Sequence, residues 1–254
     1  MRYIYENENK IIIFINLLMI ISLLICFYLL GLFPAVSVLL PYSLVVVVLS
    51  CIRYYIPIKI GSMLTSCQLD DYEDYIQYLR TKTNQKSILQ NYYLFRIAQY
   101  SYYLGDFVGC IQKLKQVKVD TLSQNKYGNI DKLDYYFLAY RTRIELGGEK
   151  QIQNITTQLL GLPSSKKKDI YLQKIHLYED LIVKKQVNNY SDMLPDDSLL
   201  CKIEKDYFIA KNNLLKKDFE VAKRYFEKIS ECDERLFMVR EAKEWLNRKE
   251  VGYK

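Results

Sequence analysis

The hydrophobic and polar positions divide the chain into two parts with different patterns. Residues 11–52 contain no Lys, Arg, Asp, Glu or His. Beyond residue 67, apolar residues recur every three or four positions, as they do on one face of an amphipathic helix. The alternating pattern of a half-buried strand is absent there. The sequence therefore predicts an all-α protein in which an apolar N-terminal segment precedes a longer helical domain.

The uncharged N-terminal run predicts two membrane-spanning helices. A helix over residues 11–33 would be about 35 Å long, which exceeds the roughly 30 Å hydrocarbon core of a bilayer. The run is about twice as long as one crossing needs, and Gly31 and Pro34 interrupt it, so we expect a second span over about 36–56. Two alternatives remain, a cleaved signal peptide and a single span followed by a buried strand at residues 44–49.

The charged residues that flank the two predicted spans predict their orientation. Arg2 and Lys10 precede the first span, Arg53 and Lys59 follow the second, and the turn between them carries no charge. Because positively charged flanks stay on the cytoplasmic side, we expect both termini in the cytoplasm. The predicted organisation at the cell membrane is a cytoplasmic N-terminus (1–10), two spans with a short outside turn (11–58), connecting helices (59–90) and a cytoplasmic helical domain (68–250).

Three short breaks in the helical pattern share one arrangement. Gly105-Asp106, Gly147-Gly148 and Lys217-Asp218 each separate two segments with helical periodicity. An Ile-Ala or Leu-Ala pair lies seven or eight residues before each break. Glycine ends a helix readily, and aspartate accepts hydrogen bonds from the free amides at the start of the next one. The breaks therefore predict helix-turn-helix units.

These units resemble the tetratricopeptide repeat (TPR), a helix-turn-helix unit of about 34 residues. The best matches are residues 97–117 and 209–229, which contain "LGDFVGCI" and "KKDFEVAKRYF". The chain departs from the family in its irregular spacing, and Leu94 or Asp206 replaces the usual tryptophan. The resemblance implies a TPR-like α-solenoid of antiparallel helix pairs. The predicted fold class is thus an N-terminal transmembrane helical hairpin followed by this solenoid.

The resemblance also implies where a partner would bind. In stacked helix pairs the first helices line a concave groove, and tyrosine and arginine are frequent hot-spot residues at interfaces. A packed core remains the other interpretation for each of the tyrosines. The family's register places ten residues in the groove: Tyr92, Phe95, Gln99, Tyr102, Tyr136, Tyr140, Arg143, Tyr207, Lys211 and Leu214.

Composition and motifs narrow the classes of function. The 36 basic and 29 acidic residues give a net charge of +7, and because both signs are interspersed they argue against a continuous nucleic-acid-binding stripe. His176 is the only histidine, and the six cysteines include no C-x-x-C pair, so we expect no metal and no cofactor. Phosphate-loop, dinucleotide-binding and nucleophile-elbow motifs are absent, so we do not expect an enzyme.

The sequence therefore predicts a membrane-anchored scaffold or adaptor that binds a protein or peptide partner at the cytoplasmic face. The alternative is an accessory or immunity-type subunit of a membrane transporter or secretion system, which would contact that system through the transmembrane hairpin. An RNA-binding repeat protein is a third hypothesis that the mixed charges disfavour. The lipid bilayer would be a further partner, whereas the protein partner, the pathway and the oligomeric state are left open.

Overall fold

The computed structural model describes residues 62–82, 87–124 and 131–251, together with Ile21 and Tyr28. All regular structure in these ranges is helical, and no strand occurs among the described residues. The main helices are α1 (Leu69–Lys82), α2 (Ser87–Tyr103), α3 (Phe107–Leu114), α4 (Lys132–Glu145), α5 (Glu149–Leu160), α6 (Lys166–Tyr178), α7 (Leu199–Leu215), α8 (Phe219–Ser230) and α9 (Phe237–Val251).

The structure corrects the predicted membrane anchor and the cell-membrane localisation. Within the described ranges, none of the helices has both the length and the apolar character that a membrane crossing requires. The longest, α2 and α7, have 17 residues and so extend about 26 Å, less than the roughly 30 Å hydrocarbon core. The transmembrane hairpin in the predicted fold class and the cell-membrane localisation with both termini in the cytoplasm are therefore withdrawn. The segments assigned to the two spans, 11–33 and 36–56, lie outside the described residues except for Ile21 and Tyr28.

The three predicted helix breaks are confirmed. Each places one residue in the left-handed backbone region directly after a helix, with φ of +77° at Gly105, +70° at Gly147 and +63° at Lys217. In each break the next amide donates to a carbonyl five residues earlier. These bonds join Asp106 N to Ser101 O (2.9 Å), Gly148 N to Arg143 O (3.1 Å) and Asp218 N to Asn213 O (2.9 Å). This is the Schellman arrangement, which satisfies carbonyls that the ending helix leaves without a partner.

The second helix of each pair starts directly after its break. Asp106 accepts from Gly109 N at 2.9 Å and so caps α3, and Asp218 accepts from Val221 N at 3.1 Å and caps α8. Gly148 starts α5 without a side-chain cap. The short breaks turn the chain back on itself, and α2 packs on α3, α4 on α5, and α7 on α8. The described domain is thus built largely from antiparallel helix pairs.

Small buried residues allow the paired helices to approach closely. Cys110 of α3 contacts α4, where its sulfur lies 3.2 Å from Thr142 Oγ1. Large side chains such as Phe226 fill the remaining space, and Phe226 packs on Trp245 of α9 with a ring separation of 5.0 Å. The small residues at these positions, all at most 6% exposed, are Ala98, Cys110, Ala139, Ala210 and Ala222.

The segment between α6 and α7 interrupts the pairing of helices. A π-helical turn, Glu179–Lys184, continues α6 and ends at Lys185, whose φ is +54°. A short 3₁₀-helix, Asn189–Met193, follows it. Asn212 of α7 holds this segment, because its side chain accepts from Asn188 N at 3.0 Å. This stretch therefore forms one helix and an irregular connection rather than a pair of helices.

The last helix of the described domain contacts the first ones. Arg240 of α9 donates to Leu104 O at 2.6 Å, and Arg235, just before α9, forms an ion pair with Asp70 of α1 at 2.6 Å. The Phe237 ring lies 5.6 Å from the Tyr102 ring. In a linear array, each repeat contacts only its neighbours. Here the two ends of the described domain meet, and the TPR resemblance stays a prediction.

Candidate functional site

Helix α4 presents different side chains to two sides of the domain. Arg141 and Glu145 are four residues apart and share the face that points into the domain interior. Tyr136, Ala139 and Arg143 follow helical spacing on another face, which borders α3 and α5. The inner face carries a row of charges, whereas the outer face forms the floor of a cleft. These two features contain most of the chemistry that the described residues bring together.

Half of the ten predicted groove residues are buried in the core. Each of these five is at most 2% exposed, so its side chain has almost no surface to offer to a partner; they are Tyr92, Phe95, Tyr102, Tyr140 and Tyr207. Two of their hydroxyls, those of Tyr140 and Tyr207, donate to internal carboxylates. Tyr140 donates to Glu179 Oε1 at 3.0 Å, for example. For these five positions, the structure favours the packed-core interpretation over the groove.

The other five predicted groove residues are half-buried, and the structure does not bring them together. Gln99 accepts from Arg96 at 3.0 Å on α2, and Leu214 packs against the core on α7. Lys211 donates to Glu241 Oε2 of α9 at 2.7 Å. Tyr136 and Arg143 line the cleft on the outer face of α4. Only these last two therefore contribute to one accessible site.

The inner charge row is centred on Glu204 of α7. The Glu204 carboxylate pairs with Arg141 of α4 and accepts from Lys174 of α6 at 3.1 Å. Tyr178 donates to the same carboxylate at 2.7 Å. Burial alone would raise the pKa of the Glu204 carboxyl, but Arg141 and Lys174 outweigh it and lower the pKa to about 2. Glu204 is therefore ionised and connects three helices through charge-assisted hydrogen bonds.

Aromatic rings surround the Arg141 guanidinium. Its central carbon lies 4.3 Å from the centre of the Tyr102 ring and 5.3 Å from that of Tyr178. Rings at these distances attract a cation through their quadrupoles. Arg141 also donates to the Tyr103 hydroxyl at 3.4 Å. The guanidinium is thus enclosed by α2, α4, α6 and α7, and it has a structural role rather than access to a ligand.

A second carboxylate on the inner face of α4, that of Glu145, lacks a full set of hydrogen-bond partners. One oxygen of Glu145, Oε1, is buried and has no hydrogen-bond partner among the described residues. Burial and the nearby Glu241 raise the pKa of the Glu145 carboxyl from 4.5 to about 7. Glu241 itself accepts from Tyr207 and Lys211, each at 2.7 Å. Protonation of Glu145 near neutral pH therefore removes its charge repulsion with Glu241 of α9.

The sequence analysis did not identify the inner charge row. Its three central residues, Arg141, Lys174 and Glu204, are separated by 30 residues or more along the chain, so local patterns cannot pair them. One signal was present, because Glu204 lies between Ile203 and Tyr207 on the apolar stripe of α7. A charge on such a stripe indicates a buried partner elsewhere in the fold.

The cleft lies between α3 and α5, over the outer face of α4, and has a volume of about 220 Å³. Its floor is apolar, since Ile111, Leu114 and Ala139 are buried there. Apart from Ile155, polar and charged residues line the rest of it. The lining residues are Ile111, Leu114, Lys115, Tyr135, Tyr136, Ala139, Arg143, Asn154, Ile155 and Gln158.

Two adjacent tyrosines form one wall of the cleft. The rings of Tyr135 and Tyr136 meet edge to face, with 5.3 Å between their centres and 82° between their planes. Tyr135 donates to Leu114 O at 3.3 Å, which ties this wall to the end of α3. The Tyr136 hydroxyl makes no hydrogen bond with a described residue. The wall therefore combines a fixed ring with a hydroxyl that a ligand can reach.

No group of three or more His, Cys, Asp and Glu side chains in the described part of the chain has an arrangement that could hold a metal ion. The lining of the cleft contains neither a carboxylate nor a histidine or cysteine. Its chemistry is that of apolar contact, amide and hydroxyl hydrogen bonds, and two cations. A lining of this kind can hold a ligand through apolar contacts, hydrogen bonds and ionic attraction.

No family model, curated protein or solved structure matches the chain. The inference of function therefore rests on the residues of the cleft and on the physical chemistry of their side chains.

Proposed function

We propose that this protein is a helical scaffold that binds a protein or peptide partner in the cleft between α3, α4 and α5. The observation that carries the proposal is the cleft itself, which joins an apolar floor to exposed parts of Tyr136 and Arg143. Tyrosine and arginine beside an apolar pocket are typical of interface hot spots. Binding rather than catalysis is the proposed activity.

The size of the cleft favours part of a macromolecule over a small-molecule substrate. Ligand pockets for drug-sized molecules and cofactors enclose about 300–1,000 Å³. The cleft has about 220 Å³ and is open on one side, which suits one or two side chains of a longer partner. A partner with such an anchor can gain further contacts along the exposed surfaces of α3 and α5.

The proposed location differs from the groove that the sequence indicated. The inner face carries buried side chains and internal ion pairs, such as Arg141 with Glu204, and these are already engaged. The adaptor hypothesis therefore moves to the outer face of α4. The alternative hypothesis of a subunit that contacts a membrane complex through a transmembrane hairpin depended on the withdrawn anchor and is not retained.

Selection from a random library of 12-residue peptides tests the proposal on the full chain. We expect enriched peptides whose affinity falls about 10-fold or more in the Tyr136→Ala and Ala139→Leu variants, because the first removes a wall and the second fills the floor. Tyr225→Ala is the matched control, since Tyr225 is a half-buried tyrosine of α8 outside the cleft. Peptides that bind all variants equally, or the absence of any enriched peptide, would contradict the proposal.

A further inference from the structure

We propose that the cleft selects a partner segment in which a carboxylate lies next to a large apolar side chain. This inference rests on the proposed function and specifies the chemistry of its ligand. The apolar side chain would occupy the floor formed by Ile111, Leu114 and Ala139. The carboxylate, from Asp, Glu or a chain terminus, would meet Arg143 and Lys115. The proposed occupant is thus a short acidic peptide segment with an apolar anchor.

The two cations of the cleft carry the argument for a carboxylate. Arg143 of α4 and Lys115, which follows α3, line the cleft from two different helices. Neither forms an ion pair with any side chain that the structure describes, although many other Lys and Arg side chains do. Glu241, for instance, is bound by Lys211. The positive charges of Arg143 and Lys115 are therefore available to a ligand.

The sequence around the cleft adds to this positive field. From Phe107 to Val119 the chain contains Lys113, Lys115 and Lys118 and no acidic residue. Helix α5 begins with one acidic and one basic residue, Glu149 and Lys150, and contains no charged residue from Gln151 to Leu160. Clustered charge of one sign in a partly enclosed site raises the local concentration of oppositely charged ligands. An anionic ligand is therefore favoured over a neutral or cationic one.

Hydrogen-bond geometry favours a carboxylate as the anion. The planar guanidinium of Arg143 matches a carboxylate with two parallel hydrogen bonds. The Tyr136 hydroxyl, two helical turns before Arg143 on the same face of α4, can donate a further bond to the partner segment. A nucleic acid is a poorer fit because the Lys115 and Arg143 pair is not extended into a stripe over α5. The apolar floor supplies the affinity and the cations supply the selectivity.

The same peptide selection distinguishes this inference from the proposed function. We expect the enriched 12-residue peptides to share an Asp or Glu within three residues of Leu, Ile, Phe, Trp or Met. Peptide affinity should fall about 10-fold or more in Arg143→Glu and in Lys115→Glu. The difference from the wild type should be smaller at high salt, because screening already reduces wild-type binding. Arg224→Glu is the matched control, because Arg224 is an exposed arginine of α8 outside the cleft.

A charge exchange excludes a merely structural effect of these substitutions. Lys115 is exposed at the end of α3, so Lys115→Glu should fold like the wild type, as circular dichroism would show. A peptide with Lys in place of its acidic residue should bind the Arg143→Glu variant better than it binds the wild type. Peptides that need Tyr136 but carry no acidic residue, or that bind Arg143→Glu unchanged, would overturn this inference and leave the proposed function standing. Peptides that ignore both Tyr136 and Ala139 would overturn both.

Discussion

Lys217 occupies a backbone position that the other two helix breaks give to glycine. Its φ of +63° lies in the left-handed region, where a side chain with a Cβ atom costs roughly 1–2 kcal/mol. The two glycines differ in their surroundings. A Cβ atom on Gly147 would meet nothing within 4 Å, whereas one on Gly105 would lie 2.9 Å from Phe237 Cβ. Substitutions at these three positions therefore distinguish the cost of backbone strain from the cost of steric contact.

Substitutions at these three positions should change stability by different amounts. Lys217→Gly should raise the free energy of unfolding by about 0.5–1 kcal/mol, because relief of strain exceeds the entropy that glycine adds to the unfolded chain. Gly147→Ala should lower it by about 1 kcal/mol, the strain alone. Gly105→Ala should lower it by more, since α9 must also move. Chemical denaturation measures all three, and equal losses at Gly105 and Gly147 would refute the packing of Phe237 on the first break.

The breaks could be predicted from the sequence because their causes are local. Gly105, Asp106 and Asp218 specify a left-handed residue and a helix cap through bonds that span five residues or fewer. The burial of Tyr92 and Tyr102 depends instead on helices that are distant in sequence. Periodicity alone could not distinguish a tyrosine in a groove from a tyrosine in a core.

At the scale of the elements, α4 holds the described domain together through its inner face. Arg141 connects it to Glu204 of α7, and Lys174 adds α6 to the same carboxylate. The outer face of the same helix carries the cleft. The sequence placed Tyr136 and Arg143 in the same site, and both line the cleft. The groove hypothesis placed both residues on the concave side, whereas the structure places them beside α3 and α5.

The buried ion cluster should show strong coupling between its members. Glu204→Leu alone should lower the free energy of unfolding by about 3–5 kcal/mol, since it leaves Arg141 and Lys174 buried without their carboxylate. Arg141→Met should cost less, because Glu204 keeps Lys174 as a partner. The double variant should lose less than the sum of the two, because Arg141 is no longer left without its carboxylate. A double-mutant cycle by denaturant unfolding measures the coupling. Additive losses would show that the two side chains do not pair in the interior.

Glu145 should make stability depend on pH near neutrality. Its pKa is about 7 in the fold against an ordinary value of 4.5, so the folded state holds a proton that the unfolded state has lost between these values. Glu145 therefore leaves the free energy of unfolding unchanged below pH 4.5 and lowers it as the pH rises. The loss of unfolding free energy is complete above pH 7. Its upper limit is about 3 kcal/mol.

Glu145→Gln should remove this loss of unfolding free energy. We expect the wild type to lose more unfolding free energy between pH 5 and pH 8 than the Glu145→Gln variant does, by at most about 3 kcal/mol. Glu244→Gln is the matched control, because Glu244 is an exposed glutamate of α9. Parallel stability curves for wild type and Glu145→Gln would show that the carboxyl is ordinarily solvated.

At the scale of the whole molecule, contacts between distant segments close the described domain. The ion pair of Asp70 with Arg235 and the hydrogen bond from Arg240 to Leu104 O join residues 165 and 136 positions apart. A repeat pattern predicts contacts between neighbours only, so it left an open concave face for a partner. In the described residues, these end-to-end contacts join the two ends of the domain, and the outer cleft on α4 is an accessible site. The central claim is therefore that the partner binds outside the closed inner face.

Photo-crosslinking with a selected peptide tests this claim most directly. A benzophenone amino acid would replace the apolar anchor of a peptide enriched on the full chain, and mass spectrometry would identify the linked residues. The account predicts links to residues of the cleft, chiefly Tyr135, Tyr136 and Ile155. Links to the residues that the groove hypothesis placed on the inner side, Gln99, Lys211 or Leu214, would contradict it.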